Sequence, residues 1–80
     1  MTDIELRQVV EKFIQQIAPE TNPSELKEEE SIRQKLGIDS FDFLQLMIAL
    51  GENFKINIPE DDYGKIGTMK ELTQYIKSHL

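Results

Sequence analysis

The sequence has 80 residues, of which 39% are hydrophobic, and this length suits one small domain with a single core. A formal net charge of −6 argues against binding to nucleic acid or anionic lipid and favours partners with Lys and Arg patches. The absence of cysteine excludes disulfides, thiolate metal sites and cysteine nucleophiles, and it fits a reducing, cytoplasmic compartment.

No segment has the pattern of a signal peptide or the length needed to cross a bilayer. We therefore expect a soluble monomer without stable membrane insertion.

Apolar residues recur at helical spacing from Leu6 to Ile17, which predicts a first amphipathic helix. Thr2 and Glu5 have the spacing of a capping box, and Pro19 ends the helix. The side facing the core is predicted to consist of Leu6, Val9, Val10, Phe13, Ile14 and Ile17, with Arg7 and the other polar residues mostly opposite.

A long connection follows, from Pro19 to Gly37. Leu26, Ile32 and Leu36 are predicted to hold it against the core, with one turn of helix near Ile32 to Lys35. Its acidic residues, Glu28 to Glu30, and the later group Glu60 to Asp62 are interpreted as solvated charge, with weak divalent-ion binding as the lesser alternative. Neither group has the ligand spacing of a calcium loop, so no specific metal site is expected.

The central helix is predicted from about Ser40 to Phe54, because Gly37 can end the preceding segment and Asp39 is a preferred N-cap residue. Ser40 then lies in the first turn, where free backbone N–H groups and the helix dipole tolerate a phosphate on its oxygen. The helix has two apolar stripes: Phe43, Leu46, Met47, Leu50 and Phe54 on one side, and Phe41, Leu44 and Ile48 on the other. Gly51 inside this helix predicts local weakening or a close contact.

The last third of the chain begins with the alternating residues Phe54 to Ile58, which have no partner strand and are interpreted as an extended connector. Pro59 and the acids after it predict a short helix. Thr68 and Glu71 form a second capping box, and the buried face of the last helix is predicted to contain Met69, Leu72, Tyr75, Ile76 and Leu80. The predicted fold is all-α, a small four-helix bundle of three main helices and a short third helix, with residues 1–80 in one domain.

The residues alone leave the role of Ser40 open, since a first-turn serine that assists a cap is the commoner case. A catalytic serine is disfavoured because the chain has no Gly-x-Ser-x-Gly elbow and its one histidine, His79, lies beside the C-terminus. The stripe of Phe41, Leu44 and Ile48 is either a partner contact or partly buried.

The segment Gly37-Ile38-Asp39-Ser40-Phe41-Asp42 resembles the signature of the acyl carrier protein family. The likeness covers nearly the whole chain, through Ser31-Ile32, Leu36-Gly37, the helix from Phe43 to Phe54, Ile58-Pro59-Glu60-Asp61 and Lys65-Ile66-Gly67-Thr68-Met69. It implies a four-helix carrier without catalysis of its own. A phosphopantetheinyl transferase would attach 4′-phosphopantetheine from coenzyme A to Ser40, and the arm would hold acyl groups as thioesters for ligases, synthases or acyltransferases of fatty-acid, polyketide or related biosynthesis.

The resemblance also implies that these enzymes recognise the central helix and its cap. The candidate recognition residues are Asp39, Phe41, Asp42, Leu44, Gln45, Ile48 and Glu52. The sequence departs from the family pattern in the two phenylalanines, Phe41 and Phe43, and in Gln45, Gly51 and Asn53, which stand at positions that are often acidic. This less acidic helix favours a specialised carrier over the housekeeping fatty-acid carrier. The alternatives are a peptidyl or aminoacyl carrier, and a non-covalent helical interaction module.

Overall fold

A computed structural model describes all 80 residues, and its elements are helical. The α-helices are α1 (Asp3–Ile17), α2 (Ile32–Leu36), α3 (Ser40–Phe54) and α4 (Met69–Ser78). Two 3-10 helices span Pro23–Glu25 and Glu60–Lys65. None of the helices is long and apolar enough to cross a membrane. The predicted all-α bundle is confirmed.

Capping residues set the helix boundaries where the sequence predicts them. The side chain of Thr2 accepts from the Glu5 N–H, the Glu5 carboxylate accepts from the Thr2 N–H, and Thr68 with Glu71 repeats this arrangement at α4. Each pair satisfies two backbone donors that the helix leaves free. Helix α1 ends at Ile17, just before Pro19, as expected.

One hydrophobic cluster of 15 buried residues joins α1, α3, α4 and the segments between them. Phe43, Leu46, Met47 and Leu50 supply the α3 part, so the predicted core stripe is confirmed, with Phe54 partly buried. Leu80 was expected in the core and is 63% exposed, because α4 ends at Ser78 before another turn can bring it inward.

The short helix predicted after Pro59 is a 3-10 helix that buries none of its residues. It ends at Lys65, and Ile66 immediately after it is buried. Ile56 and Ile58 of the preceding connector pack partly against the core. This part of the chain therefore lies over the bundle more than within it.

The connection between α1 and α3 is held more firmly than the sequence indicated. Leu26 and Ile32 are buried, as predicted, and the Ile32 N–H donates to the Gly67 carbonyl at 2.9 Å. The Lys70 N–H donates to the Glu28 carbonyl at 3.0 Å. These bonds attach the connection to the start of α4.

Candidate functional site

Ser40 is held at the surface by buried residues on either side of it. Gly37 ends α2 in the left-handed conformation, with φ of 68°, and Ile38 then turns into the core with only 5% exposure. Phe43, one turn into α3, is 4% exposed. Asp39 and Ser40 between these anchors are both exposed. The serine hydroxyl is therefore accessible on a fixed backbone.

The cap predicted at Asp39 is present and leaves two donors free. Its Oδ1 accepts from the Asp42 N–H at 2.8 Å, and its carbonyl accepts from the Phe43 N–H at 3.0 Å. The N–H groups of Ser40 and Phe41 have no acceptor in the protein. A phosphate bound through Ser40 would meet these two donors and the positive end of the helix dipole.

No histidine is placed to activate Ser40. His79 stacks on Tyr75 at the end of α4, with ring centroids 4.3 Å apart, and its Nδ1 lies 2.8 Å from the Tyr75 carbonyl oxygen. The position of His79 therefore gives no support for a catalytic Ser-His pair at Ser40.

The other candidate residues lie together on the outer side of α3 and at its cap, which we call the α3 face. Phe41 and Ile48 are 63% and 49% exposed, large values for apolar side chains. Leu44 and Asp42 are partly buried, whereas Gln45 and Glu52 are exposed. The α3 face consists of Asp39, Phe41, Asp42, Leu44, Gln45, Ile48 and Glu52.

Charge on the α3 face is purely negative. No Lys or Arg occurs from Gly37 to Phe54, and none of its acids, Asp39, Asp42 and Glu52, forms an ion pair within the protein. The acidic run before α2 differs, because Glu28, Glu29 and Glu30 pair with Arg7, Lys70 and Lys35, respectively. The α3 face thus offers three carboxylates without ion pairs to a basic partner, and two of them, Asp39 and Asp42, flank Ser40 in the sequence.

Tyr63 contacts the core side of α3 and was not singled out by the sequence. Its ring meets that of Phe43 edge-on, with centroids 5.8 Å apart and an angle of 80° between the planes. Desolvation raises the pKa of the Tyr63 phenol. Tyr63 belongs to an acidic 3-10 helix that buries none of its residues, so nothing in the local sequence indicates that Tyr63 faces Phe43.

The segment with Tyr63 is fixed by one further contact. The Tyr75 hydroxyl donates to Asp62 Oδ2 at 2.8 Å, which joins the 3-10 helix Glu60–Lys65 to α4. Desolvation raises the pKa of Tyr75, and the hydrogen bond to Asp62 raises it further. The phenol therefore stays protonated and able to donate.

Arg7 is a second residue that the sequence placed differently, on the solvent side of α1. It is partly buried, donates to the carbonyls of Leu26 and Pro23, and pairs with Glu11 and Glu28 at 2.7 and 3.2 Å. Burial acts to lower the pKa of Arg7, but the hydrogen bonds to Glu11 and Glu28 outweigh it and raise that pKa. The spacing of Arg7 and Glu11 on one helix was the only available signal.

Comparison with known proteins identifies relatives along most of the chain. The family model described as "Phosphopantetheine attachment site" matches residues 5–76. The acyl carrier protein of Wolinella succinogenes is 41% identical over 58 residues, which cover 72% of this chain and 76% of that protein. The acyl carrier protein of Zymomonas mobilis is 40% identical over 57 residues, covering 71% and 73% respectively. That of Clostridium acetobutylicum is 38% identical over 56 residues, covering 70% and 73%.

Proposed function

The chain belongs to the acyl carrier protein family, and on this premise we propose that Ser40 is the residue that carries its 4′-phosphopantetheine arm. The observation that carries the proposal is the exposed Ser40 hydroxyl next to two backbone N–H groups without acceptors. These donors suit a phosphodiester, so the residues present fit the group.

In the attachment reaction, Ser40 Oγ attacks the phosphorus of coenzyme A that bears the pantetheine. A new P–O bond to Ser40 forms, the bond to the adenosine 3′,5′-bisphosphate breaks, and a base of the transferase takes the hydroxyl proton. Asp39 keeps the first turn of α3 in place during this transfer. Once attached, the arm supplies a thiol that holds an acyl group as a thioester.

We propose that the α3 face is where the transferase and the acyl-handling enzymes bind. Phe41 and Ile48 present apolar area, and Asp39, Asp42 and Glu52 present unpaired negative charge around it. A partner with an apolar recess and a Lys or Arg rim would complement both properties. The apolar share of this face supports a specialised carrier that serves a dedicated ligase or synthase.

The chain acts, in this proposal, as one cytoplasmic domain without catalysis of its own. One core cluster includes residues from Leu6 to Ile76, which supports a single domain. The one histidine, His79, stacks on Tyr75 at the end of α4, which supports a carrier role, and the lack of cysteine in the sequence supports a reducing compartment.

The intact mass of the protein tests the proposal, after incubation with coenzyme A and a broad-specificity phosphopantetheinyl transferase. The wild-type chain should gain one phosphopantetheine group, and Ser40→Ala should gain none. Ser31→Ala is the matched control, because Ser31 is also an N-cap-region serine and should not affect the gain. No gain in the wild-type chain would refute attachment and favour the non-covalent interaction module.

A further inference from the structure

Tyr63 separates an open groove from the buried core beside α3. On one side it borders a surface groove of about 390 Å³, whose apolar lining also includes Met47, Ile48, Ile56 and Ile58. On the other side its ring meets the edge of Phe43, which is 4% exposed. Tyr63 thus forms part of the wall between solvent and the interior at this point, beside Met47, which also lines the groove and is 1% exposed.

We infer that Tyr63 and Phe43 close the interior of the bundle to the acyl group, so that this carrier handles short or polar acyl groups. The inference rests on the proposed attachment at Ser40. Phe43 follows Ser40 by three residues, about 4.5 Å along the helix and on a neighbouring side. The closed contact therefore lies within one turn of the residue that would carry the arm.

The wall is fixed in place by its neighbours. Asp62, adjacent to Tyr63, accepts from Tyr75 of α4 at 2.8 Å and pairs with Lys65 at 3.6 Å. Phe43 is backed by Leu46, Met47 and Leu50, each 1% exposed or less. An acyl chain that enters must separate the rings of Tyr63 and Phe43 and displace side chains of a close-packed core. Such a core tolerates little added volume.

The cargo class follows from where the acyl group must then stay. An acyl chain kept out of the core leaves its methylene groups in water or against the shallow groove. Exposure becomes less favourable with every added methylene, whereas a short or polar acyl group has little apolar surface to protect. Short or polar acyl groups are therefore the cargo that suits a carrier whose interior is closed.

The test loads acetyl- and octanoyl-phosphopantetheine from the corresponding coenzyme A thioesters, using a broad-specificity transferase. Three proteins are compared: the wild type and two variants. Tyr63→Ala removes the aromatic ring that contacts Phe43, and Tyr63→Phe keeps it. Intact mass first establishes loading. If the wild-type protein takes up neither group, attachment at Ser40 is contradicted. That result differs from one in which the protein is loaded and the octanoyl group enters the interior, which contradicts only the closed interior.

Thermal unfolding of the loaded proteins then tests whether the octanoyl chain enters the interior. In wild type and Tyr63→Phe, the octanoyl and acetyl forms should unfold at the same temperature. In Tyr63→Ala, the octanoyl form should unfold about 4 °C or more above the acetyl form, because its chain enters the space that Tyr63 vacates. An octanoyl wild-type form that unfolds that far above the acetyl form would overturn the inference.

Thioester cleavage by hydroxylamine gives a second reading that does not depend on the stability of Tyr63→Ala. Both wild-type thioesters should be cleaved within about twofold of the rate of the matching coenzyme A thioester, because neither is sheltered. Octanoyl cleavage slowed severalfold in the wild-type protein, with acetyl cleavage unchanged, would show that the chain is buried and refute the closed interior.

Discussion

A Cβ atom added to Gly51 would lie 3.0 Å from the carbonyl oxygen of Ile56, and the Ile56 N–H donates to the Gly51 carbonyl at 3.0 Å. The close contact expected from a glycine inside α3 is therefore present. It brings the connector after α3 directly against the helix backbone.

Gly51→Ala should lower the free energy of unfolding by about 1 kcal/mol. Alanine is favoured over glycine in a helix by about that amount, but the new methyl group would push the Ile56 backbone away and disturb its hydrogen bond. Chemical denaturation measures the change. Gly64→Ala is the control, because an added Cβ there meets nothing within 4 Å, and its stability should stay the same or rise slightly. Equal or greater stability of Gly51→Ala would contradict the contact.

Arg7→Met should lower the free energy of unfolding by about 2 kcal/mol, because the partly buried carbonyls of Pro23 and Leu26 would lose a donor. Arg7→Lys should not restore the loss, since an ammonium group cannot reproduce the guanidinium fork. The comparison needs a variant that removes a free cation from the same helix. Lys12→Met does this, because Lys12 is exposed and forms no ion pair, and its stability should change by less than about 0.5 kcal/mol. Similar effects of the Arg7 and Lys12 variants would argue against this role for Arg7.

Asp39 has two proposed roles, which two substitutions can separate. Asp39→Ala should lower the free energy of unfolding by about 1 kcal/mol through loss of the cap on the Asp42 N–H. Asp39→Ser keeps a capping oxygen but removes the charge, so stability should be retained. The rate of phosphopantetheine transfer should nevertheless fall severalfold if the transferase binds the Asp39 carboxylate. Transfer at the wild-type rate in Asp39→Ser would restrict Asp39 to capping.

Phe41→Ala should raise the KM of the transferase for this protein about tenfold, equivalent to about 1.4 kcal/mol, without changing stability. Phe41 is 63% exposed, so little of its ring contributes to the fold, and most of it is available to a partner. Ile4→Ala is the matched control, since Ile4 is 72% exposed on α1 and lies outside the α3 face. An unchanged KM for Phe41→Ala would remove Phe41 from the proposed interface.

The sequence predicted the helices well because their boundaries depend on local chemistry. Thr2, Asp39 and Thr68 cap neighbouring N–H groups, and the spacing of apolar residues on α3 identifies its buried stripe. The place of Ser40 at the start of α3 follows in the same way from Gly37 and Asp39 just before it. Its role as the attachment site came from the family resemblance and stays a prediction. These signals lie within a few residues of the feature they determine.

Contacts between distant segments left no such signal. Tyr63 meets Phe43 across 20 positions, and Arg7 reaches Leu26 across 19. Each partner looks ordinary in its own segment, because an exposed tyrosine and a surface arginine are both common there. Only the packing of the helices shows that Tyr63 contacts Phe43 and that Arg7 anchors a loop.

The ion pair between Lys77 Nζ and Asp3 Oδ1, 2.7 Å long, places the first turn of α1 beside the last turn of α4. The start of α1 and the end of α4 therefore lie close together in space. A short flexible linker between residues 80 and 1 would give a backbone-cyclised protein with the same helices. Such a ring would be harder to unfold, since joining the ends mainly reduces the conformational freedom of the unfolded chain.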